Sequence, residues 1–329
     1  MKNKHIGVLL GGTSAEREIS LRSGDAMFEA LSSRGYRVSK IYVDQDIDQV
    51  LRQTRIDVAV IALHGTHGED GCIQGLLEIL GIPYTGSGVL ASALAMDKLK
   101  AKELFRLHNV PTPAYYAVDE SQLEELEEIH GSFGFPAFVK PRRSGSSVGA
   151  GRARDMAELA ERCAEAARFD RSVLVERFIQ GREVAVGVLD GRALGAIEIA
   201  PKGAFYDYKS KYQAGQSEYF LPPRLTPTRY KGVLNIAERA VRSLGCTGAC
   251  RVDVLVTEGE NEYVLEVNTL PGMTQTSLLP KIAASAGMDF GDLCEAILKR
   301  AAVGGSAQVI ESGRGRTRGF AAAQSKLVG

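Results

Sequence analysis

The chain has 329 residues, enough for two or three compact domains. Lys plus Arg and Asp plus Glu are both 40, so the formal net charge is zero, which argues against a nucleic-acid partner but allows a local basic pocket for a small anion. Apolar residues make up 44% without any stretch near the roughly 20 apolar residues of a membrane span, so a cytoplasmic protein with no membrane partner is expected.

The first apolar run, "HIGVLL", is too short for a signal peptide and reads as a buried strand. "GGTSAEREIS" follows as a glycine turn and a helix start, with Thr13 as N-cap and Glu16 three residues on in a capping box. Ile19, Met27, Ala30 and Leu31 suit one helix face, and Gly35 ends it. Residues 36–43 and 57–65 read as strands and 71–80 as a helix, so the first hundred residues alternate as a parallel α/β domain. A single helix is expected from Ser87 through Lys98 to His108, broken by "NVPTP", and another over 119–131. Short strands at 137–140, 147–152 and 173–179 follow, with a helix between the last two. Four more strands are expected at 183–189, 193–199, 251–256 and 263–268. They are interrupted by a Tyr- and Lys-rich loop over 201–223 and a helix from Thr226 to Leu244. The last helices lie near 277–286 and 289–302. Residues 304–329, rich in Gly, Arg and Ser without periodicity, read as a disordered tail. Five scattered cysteines suit small buried thiols in a reducing compartment better than disulfides or zinc.

Two stretches carry chemistry. "KPRRSGSSVGAG" (140–151) is glycine-rich and basic, yet it matches neither a Walker loop nor a dinucleotide fingerprint. In "CRVDVLVTEGENEYVLEVNTLPG" (250–272) two alternating runs flank a polar loop. Arg251, Asp253 and Leu255 share one face of the first strand. Val264, Glu266 and Asn268 share one face of the second, opposite Leu265 and Val267. With 258–261 as the hairpin loop, Asp253 pairs with Glu266 and Arg251 with Asn268. Facing carboxylates repel, and a divalent cation would relieve them. Asp, Glu and Asn offer oxygen ligands, which suit Mg²⁺. An ordinary exposed hairpin is the competing account.

"EVNTLPGMTQTS" (266–277) resembles the metal-binding end of the ATP-grasp carboxylate–amine ligases, and more narrowly is similar to the D-alanine–D-alanine ligase family. "GGTSAEREIS", "ALHGTHGEDG", "PYTGSGVLASALAMDK", "VKPRRSGSSVG", "VERFIQGREVAVGVL" and "FYDYKSKY" occur in the family's order, so the resemblance covers about residues 5–300. It implies an ATP-grasp fold of mixed α/β and α+β class. An N-terminal parallel α/β domain (1–98) would bind substrate. A small central α+β domain (99–181) and a C-terminal antiparallel-sheet domain (182–303) would hold ATP between them, and the 304–329 tail has no counterpart.

The implied activity joins two D-alanines at the cost of ATP through an acyl phosphate, for peptidoglycan precursors. ATP is the co-substrate, two Mg²⁺ (or Mn²⁺) ions assist, and relatives are homodimers. The resemblance assigns Asp253, Glu266 and Asn268 to the metals. Lys98, Lys140 and Lys211 go to the ATP phosphates, Glu183 to the ribose, and Glu176 with the backbone of Arg177–Ile179 to the adenine. Glu16 would hold the first substrate's ammonium, its alternative being the helix cap, and Tyr212 would link to it through Ser146. Arg251 and the Gly272 N–H would stabilise the oxyanion. Ser277 and Leu278 would contact the second D-alanine. His64 would lie near the first, unless it is a structural histidine. A tyrosine at 212 favours D-alanine over D-lactate as acceptor. Ser144 departs from the acid common in the family's glycine-rich loop.

Overall fold

The structure is a computed structural model that describes residues 1–145, 148–201, 217–259 and 261–304. Ser146, Lys211, Tyr212 and the tail beyond Gly304 lie outside the described residues. Three sheets organise the rest, and among the described residues no helix is long and apolar enough to cross a membrane.

The first sheet is parallel, in the order β2-β1-β3, from β1 (His5–Gly11), β2 (Arg37–Val43) and β3 (Val58–Ile61). The run Ile6–Leu10 is wholly buried because both sheet faces are covered. Ile6 and Val8 meet Met27 and Leu31 of α1 (Arg17–Ser33) on one face; Leu9 meets Leu51 of α2 (Ile47–Thr54) and Leu77 of α3 (Cys72–Leu80) on the other.

The expected capping box does not form. Helix α1 starts at Arg17 with Glu16 as its N-cap residue, and no side chain caps it. Thr13 Oγ1 instead lies 3.3 Å from His67 Nδ1, while Ser14 Oγ accepts from the Glu16 N–H at 3.2 Å and donates to the His64 carbonyl at 2.7 Å. The loops after β1 and β3 run side by side at the carboxyl end of the sheet. The neighbouring loop therefore takes the hydroxyls, and Glu16 lines a cavity.

The helix expected from Ser87 to His108 is two helices, α4 (Val89–Met96) and α5 (Lys98–Leu107), broken at Asp97. Asp97 is extended, caps α5 by accepting from the Lys100 N–H at 3.1 Å, and holds Arg142 through two 2.7 Å bonds. One residue suffices for the break, so the apolar period runs through it.

The second sheet is antiparallel, β4-β7-β5-β6, from β4 (Tyr115–Asp119), β5 (Ala137–Pro141), β6 (Gly151–Ala153) and β7 (Ser172–Arg177). Strand β4 was not expected. The segment read as one helix over 119–131 is a 3₁₀ turn, Glu120–Glu125, followed by the short α6 (Leu126–His130). Helix α7 (Met156–Ala167) covers one face with Leu159, Cys163 and Ala166.

The third sheet runs β10-β9-β8-β11-β12, all antiparallel, from β8 (Arg182–Leu189), β9 (Arg192–Pro201), β10 (Ser217–Phe220), β11 (Ala249–Val256) and β12 (Glu262–Asn268). Strand β10 falls inside the segment read as a loop over 201–223. Helix α8 (Pro227–Ser243) covers one face with Val233, Ala237 and Val241, and α9 (Leu278–Ser285) covers part of the other with Leu278 and Ile282. Helix α10 (Phe290–Lys299) returns to the first sheet beside α1.

At the site end the β11–β12 register is the expected one, with Arg251 opposite Asn268 and Asp253 opposite Glu266. Beyond it the register shifts by one residue, so that Val254 faces Val264 and Val256 faces Glu262. This bulge corrects the expected face assignment. Val264 joins Val267 in the core under α8, and Leu265 turns to the cleft alongside Glu266.

Candidate active site

Two cavities meet between the sheets. The larger, about 560 Å³, lies between the second and third sheets. Lys98, Lys140, Glu176, Glu183 and the Arg177–Ile179 segment line it, with Phe138, Leu255 and Leu265 as apolar surfaces. The smaller, about 140 Å³, lies toward the first sheet and is lined by Glu16, His64, Arg251, Gly272, Ser277 and Leu278. Gly145, Ile199, Asp253 and Glu266 line both.

The floor where they meet is the β11–β12 pair. Arg251 and Asp253, two apart on one strand, point the same way. The guanidinium grips the carboxylate with Nε at 2.7 Å from Oδ1 and Nη2 at 2.9 Å from Oδ2. Asn268 Nδ2 is 3.4 Å from the same Oδ2, and the Lys98 ammonium is 3.7 Å from Glu266 Oε2. Two carboxylates and an amide carbonyl are all hard oxygen donors, and the structure brings them to one place, so the set fits Mg²⁺. Among the described residues no group of three His, Cys, Asp or Glu side chains could hold a metal ion.

Toward the larger cavity, Lys98 opens α5 and donates to the Ser144 carbonyl at 2.6 Å, tying the helix to the glycine-rich loop. Lys140, near the end of β5, reaches Glu176 Oε2 on β7 at 2.9 Å. The other oxygen of Glu176 meets Lys102 at 2.6 Å. Burial pushes the Glu176 carboxyl up, but the two lysines outweigh it and hold it below the usual carboxylate value. Of the two arginines in the loop, Arg142 is held by Asp97, whereas Arg143 is largely exposed with Asp170 at 3.5 Å.

Toward the smaller cavity, Glu16 is flanked by two glycines. A Cβ on Gly65 would lie 2.2 Å from Glu16 Oε2, and one on Gly145 would lie 3.0 Å from both oxygens. Gly65 also has φ 70°, a left-handed conformation that glycine adopts without strain. His64 is buried, with Nε2 3.3 Å from Ser23 Oγ. Burial lowers its pKa to about 4, so it is neutral at pH 7. Ser277 is the N-cap of α9, and Pro280 has no N–H, so the first-turn amide donors facing this end are Leu278 and Leu279.

Sequence reasoning missed two charged residues here. Glu69 lies inside the "ALHGTHGEDG" stretch, lines the smaller cavity and accepts from the Gly65 N–H at 2.8 Å. Burial, with Glu16 adding to it, lifts its pKa to about 8. Nothing in its spacing marked it. Lys102 has no exposed surface, yet on a helix with Lys98 and Lys100 it reads as one more solvated charge.

Residues 104–299 match the family described as D-ala D-ala ligase C-terminus, and residues 46–87 the one described as D-ala D-ala ligase N-terminus. A D-alanine–D-alanine ligase of Geotalea uraniireducens is 55% identical over 92% of this chain and 97% of its own length. The D-alanine–D-alanine ligase of Bacillus anthracis complexed with ATP superposes with a TM-score of 0.79 at 33% identity, covering 90% of this chain and 96% of that one. A D-Ala:D-Ser ligase of Enterococcus faecalis superposes at 0.80 with 29% identity, covering 90% and 98%.

Proposed function

Because the chain belongs to the D-alanine–D-alanine ligase family, we propose that it joins two D-alanines to D-alanyl-D-alanine for peptidoglycan precursors, converting ATP to ADP and phosphate. The observation that carries this reading is the meeting of two cavities on one pair of carboxylates. A nucleotide-sized cavity and an amino-acid-sized cavity share Asp253 and Glu266, where a γ-phosphoryl group and a substrate carboxylate would have to meet.

In this reading ATP occupies the larger cavity. Its base lies near Glu176 and the Arg177–Ile179 backbone, its ribose near Glu183, and its phosphates near Lys98 and Lys140, with Lys211 as a further contact. The first D-alanine lies in the smaller cavity with its ammonium on Glu16 and neutral His64 nearby. Its carboxylate oxygen attacks the γ-phosphorus, the bond to ADP breaks, and an acyl phosphate forms. The second D-alanine, whose ammonium has given one proton to solvent, then attacks the acyl carbon through its neutral amine. Arg251 and the Gly272 N–H stabilise the oxyanion, and the C–O bond breaks as phosphate leaves. The second carboxylate lies at the N-terminus of α9, where Ser277 and the amides of Leu278 and Leu279 point and the helix dipole favours an anion. Mg²⁺ (two ions, or Mn²⁺) held by Asp253, Glu266 and Asn268 would neutralise phosphate charge. We assign Tyr212 to a link through Ser146 to Glu16.

The three sheets support a division at 1–98, 99–181 and 182–303, with α10 returning to the first unit. A cytoplasmic homodimer fits the same reading. The test is direct: purified protein with ATP, Mg²⁺ and D-alanine should release phosphate and form the dipeptide, and D-alanine should outcompete D-serine and D-lactate as acceptor. Phosphate release without dipeptide would refute the reading.

A further inference from the structure

Lys102 is a buried ammonium that the proposed chemistry does not use. It has no exposed surface and sits on α5 behind the wall of the larger cavity. Its Nζ meets Glu176 Oε1 at 2.6 Å and Thr112 Oγ1 at 2.5 Å, and lies 5.7 Å from the centroid of the Tyr115 ring. The Thr112 hydroxyl in turn donates to the Val264 carbonyl at 2.8 Å, and the Val264 N–H donates to the Pro111 carbonyl at 2.8 Å. A line of polar contacts thus runs from Lys140 through Glu176, Lys102 and Thr112 to β12 beside the bulge.

Burying a lysine is expensive, and an isolated lysine at this site would lose its proton. Glu176 supplies the compensating charge, but Glu176 is shared. Lys140 takes its other oxygen at 2.9 Å, and the Lys140 side chain keeps 11% of its surface on the cavity side. Two ammonium groups against one carboxylate leave a net positive charge of one, and the partner that faces the cavity is Lys140. Were Glu176 bonded to Lys140 alone, the pair would be neutral and its attraction for an anion would fall.

We propose that Lys102 is a positioning residue for nucleotide binding: by engaging half of the Glu176 carboxylate, it keeps the Lys140 charge available to the cavity. Lys102 itself touches neither substrate. Burial lowers the Lys102 pKa to about 8, with Glu176 opposing that fall, so the residue remains charged at pH 7. The inference rests on reading the larger cavity as the ATP site.

The test uses the full chain carrying Lys102→Met, Lys140→Met, both together, and Thr112→Val. Methionine matches the lysine stem in length, and Thr112→Val removes the hydroxyl contact of Lys102 without changing charge. The readouts are the dissociation constant of ATP by calorimetry and the KM values for ATP and D-alanine. Lys102→Met should weaken ATP binding about tenfold and raise the ATP KM in step, with the D-alanine KM within about twofold. The double variant should bind ATP no more weakly than Lys140→Met alone, because Lys102 acts through Lys140. Thr112→Val should lower the melting temperature while leaving the ATP KM within about twofold. If Lys102→Met does not fold, Lys102→Gln takes its place in the cycle. Unchanged ATP binding in the single variant, an additive loss in the double, or equal shifts in both KM values would overturn the proposal. Failure of the wild-type protein to bind ATP would overturn the reading of the cavity as well.

Discussion

Gly65 offers the sharpest test of where the first substrate's ammonium is held. In Gly65→Ala the new Cβ would lie 2.2 Å from Glu16 Oε2, 3.0 Å from Ser14 Oγ and 3.1 Å from Ser14 Cβ. Carbon and oxygen do not approach so closely, so the carboxylate must withdraw by about 1 Å. The φ of 70° adds roughly 1 kcal/mol of backbone strain for alanine, and the crowding adds about as much again. The protein should therefore stay folded, with a melting temperature lower by several degrees. Catalysis should suffer more, because a displacement of about 1 Å in a positioning group can lower rates about 100-fold. We expect kcat/KM for D-alanine to fall by about that factor in a phosphate-release assay, while the dissociation constant for ATP stays within about twofold. Gly145→Ala is the graded control. Its Cβ approaches Glu16 only to 3.0 Å and its φ is not left-handed, so a loss of about tenfold or less is expected. A folded Gly65→Ala protein with kcat/KM for D-alanine within about threefold of wild type would refute the placement of the ammonium on Glu16.

Glu266→Gln should lower kcat by about 100-fold or more with little change in melting temperature, because it weakens the oxygen-donor set without opening a cavity; loss of the folded state would mark Glu266 as structural instead. Asp97→Ala removes both the cap of α5 and the partner of Arg142, and should cost about 2 kcal/mol, read from the urea midpoint. Glu69 contributes to stability in its protonated form, since its folded pKa of about 8 lies above the unfolded value of about 4.5. That contribution is fully present below about pH 4.5 and is lost as the pH rises toward 8. Urea midpoints measured across this window should fall with pH in the wild type and fall less in Glu69→Gln. A slope unchanged by the substitution would place the titration elsewhere.

The alternating pattern of 250–268 was enough to place Asp253 opposite Glu266, because period two and a short loop leave few registers. It could not reveal the bulge, which depends on Val264 being drawn into the core under α8 while Leu265 faces the cleft. Helix α8 was legible from its own periodicity, whereas its effect on β12 belongs to tertiary packing. Thr13 and Glu16 matched a capping pattern, yet that pattern is local and the deciding partners came from the loop after β3. Asp97 broke a helix that every apolar residue around it supported, since the stabilising contact is Arg142, 45 residues away. Glu69 and Lys102 were illegible for the same reason: loss of hydration makes them distinctive, complete for Lys102 and partial for the Glu69 side chain, and that is a property of the assembled structure.

Helix α10 has a bearing on how the chain is made. Leu293, Cys294, Ile297 and Leu298 complete the same cluster as Ile6, Val8, Met27 and Leu31, and Tyr84 pairs its backbone with Ala302. A ribosome adding about 5–20 residues per second needs roughly 10–50 s to travel from β3 to this helix. For that interval the amino-terminal sheet has its strands and α1 but lacks the apolar face of α10, and that part of its surface is open to chaperones. Nascent chains stalled before residue 289 should therefore be captured by a holdase and be protease-sensitive. Chains stalled far enough beyond residue 302 for it to clear the exit tunnel should escape both.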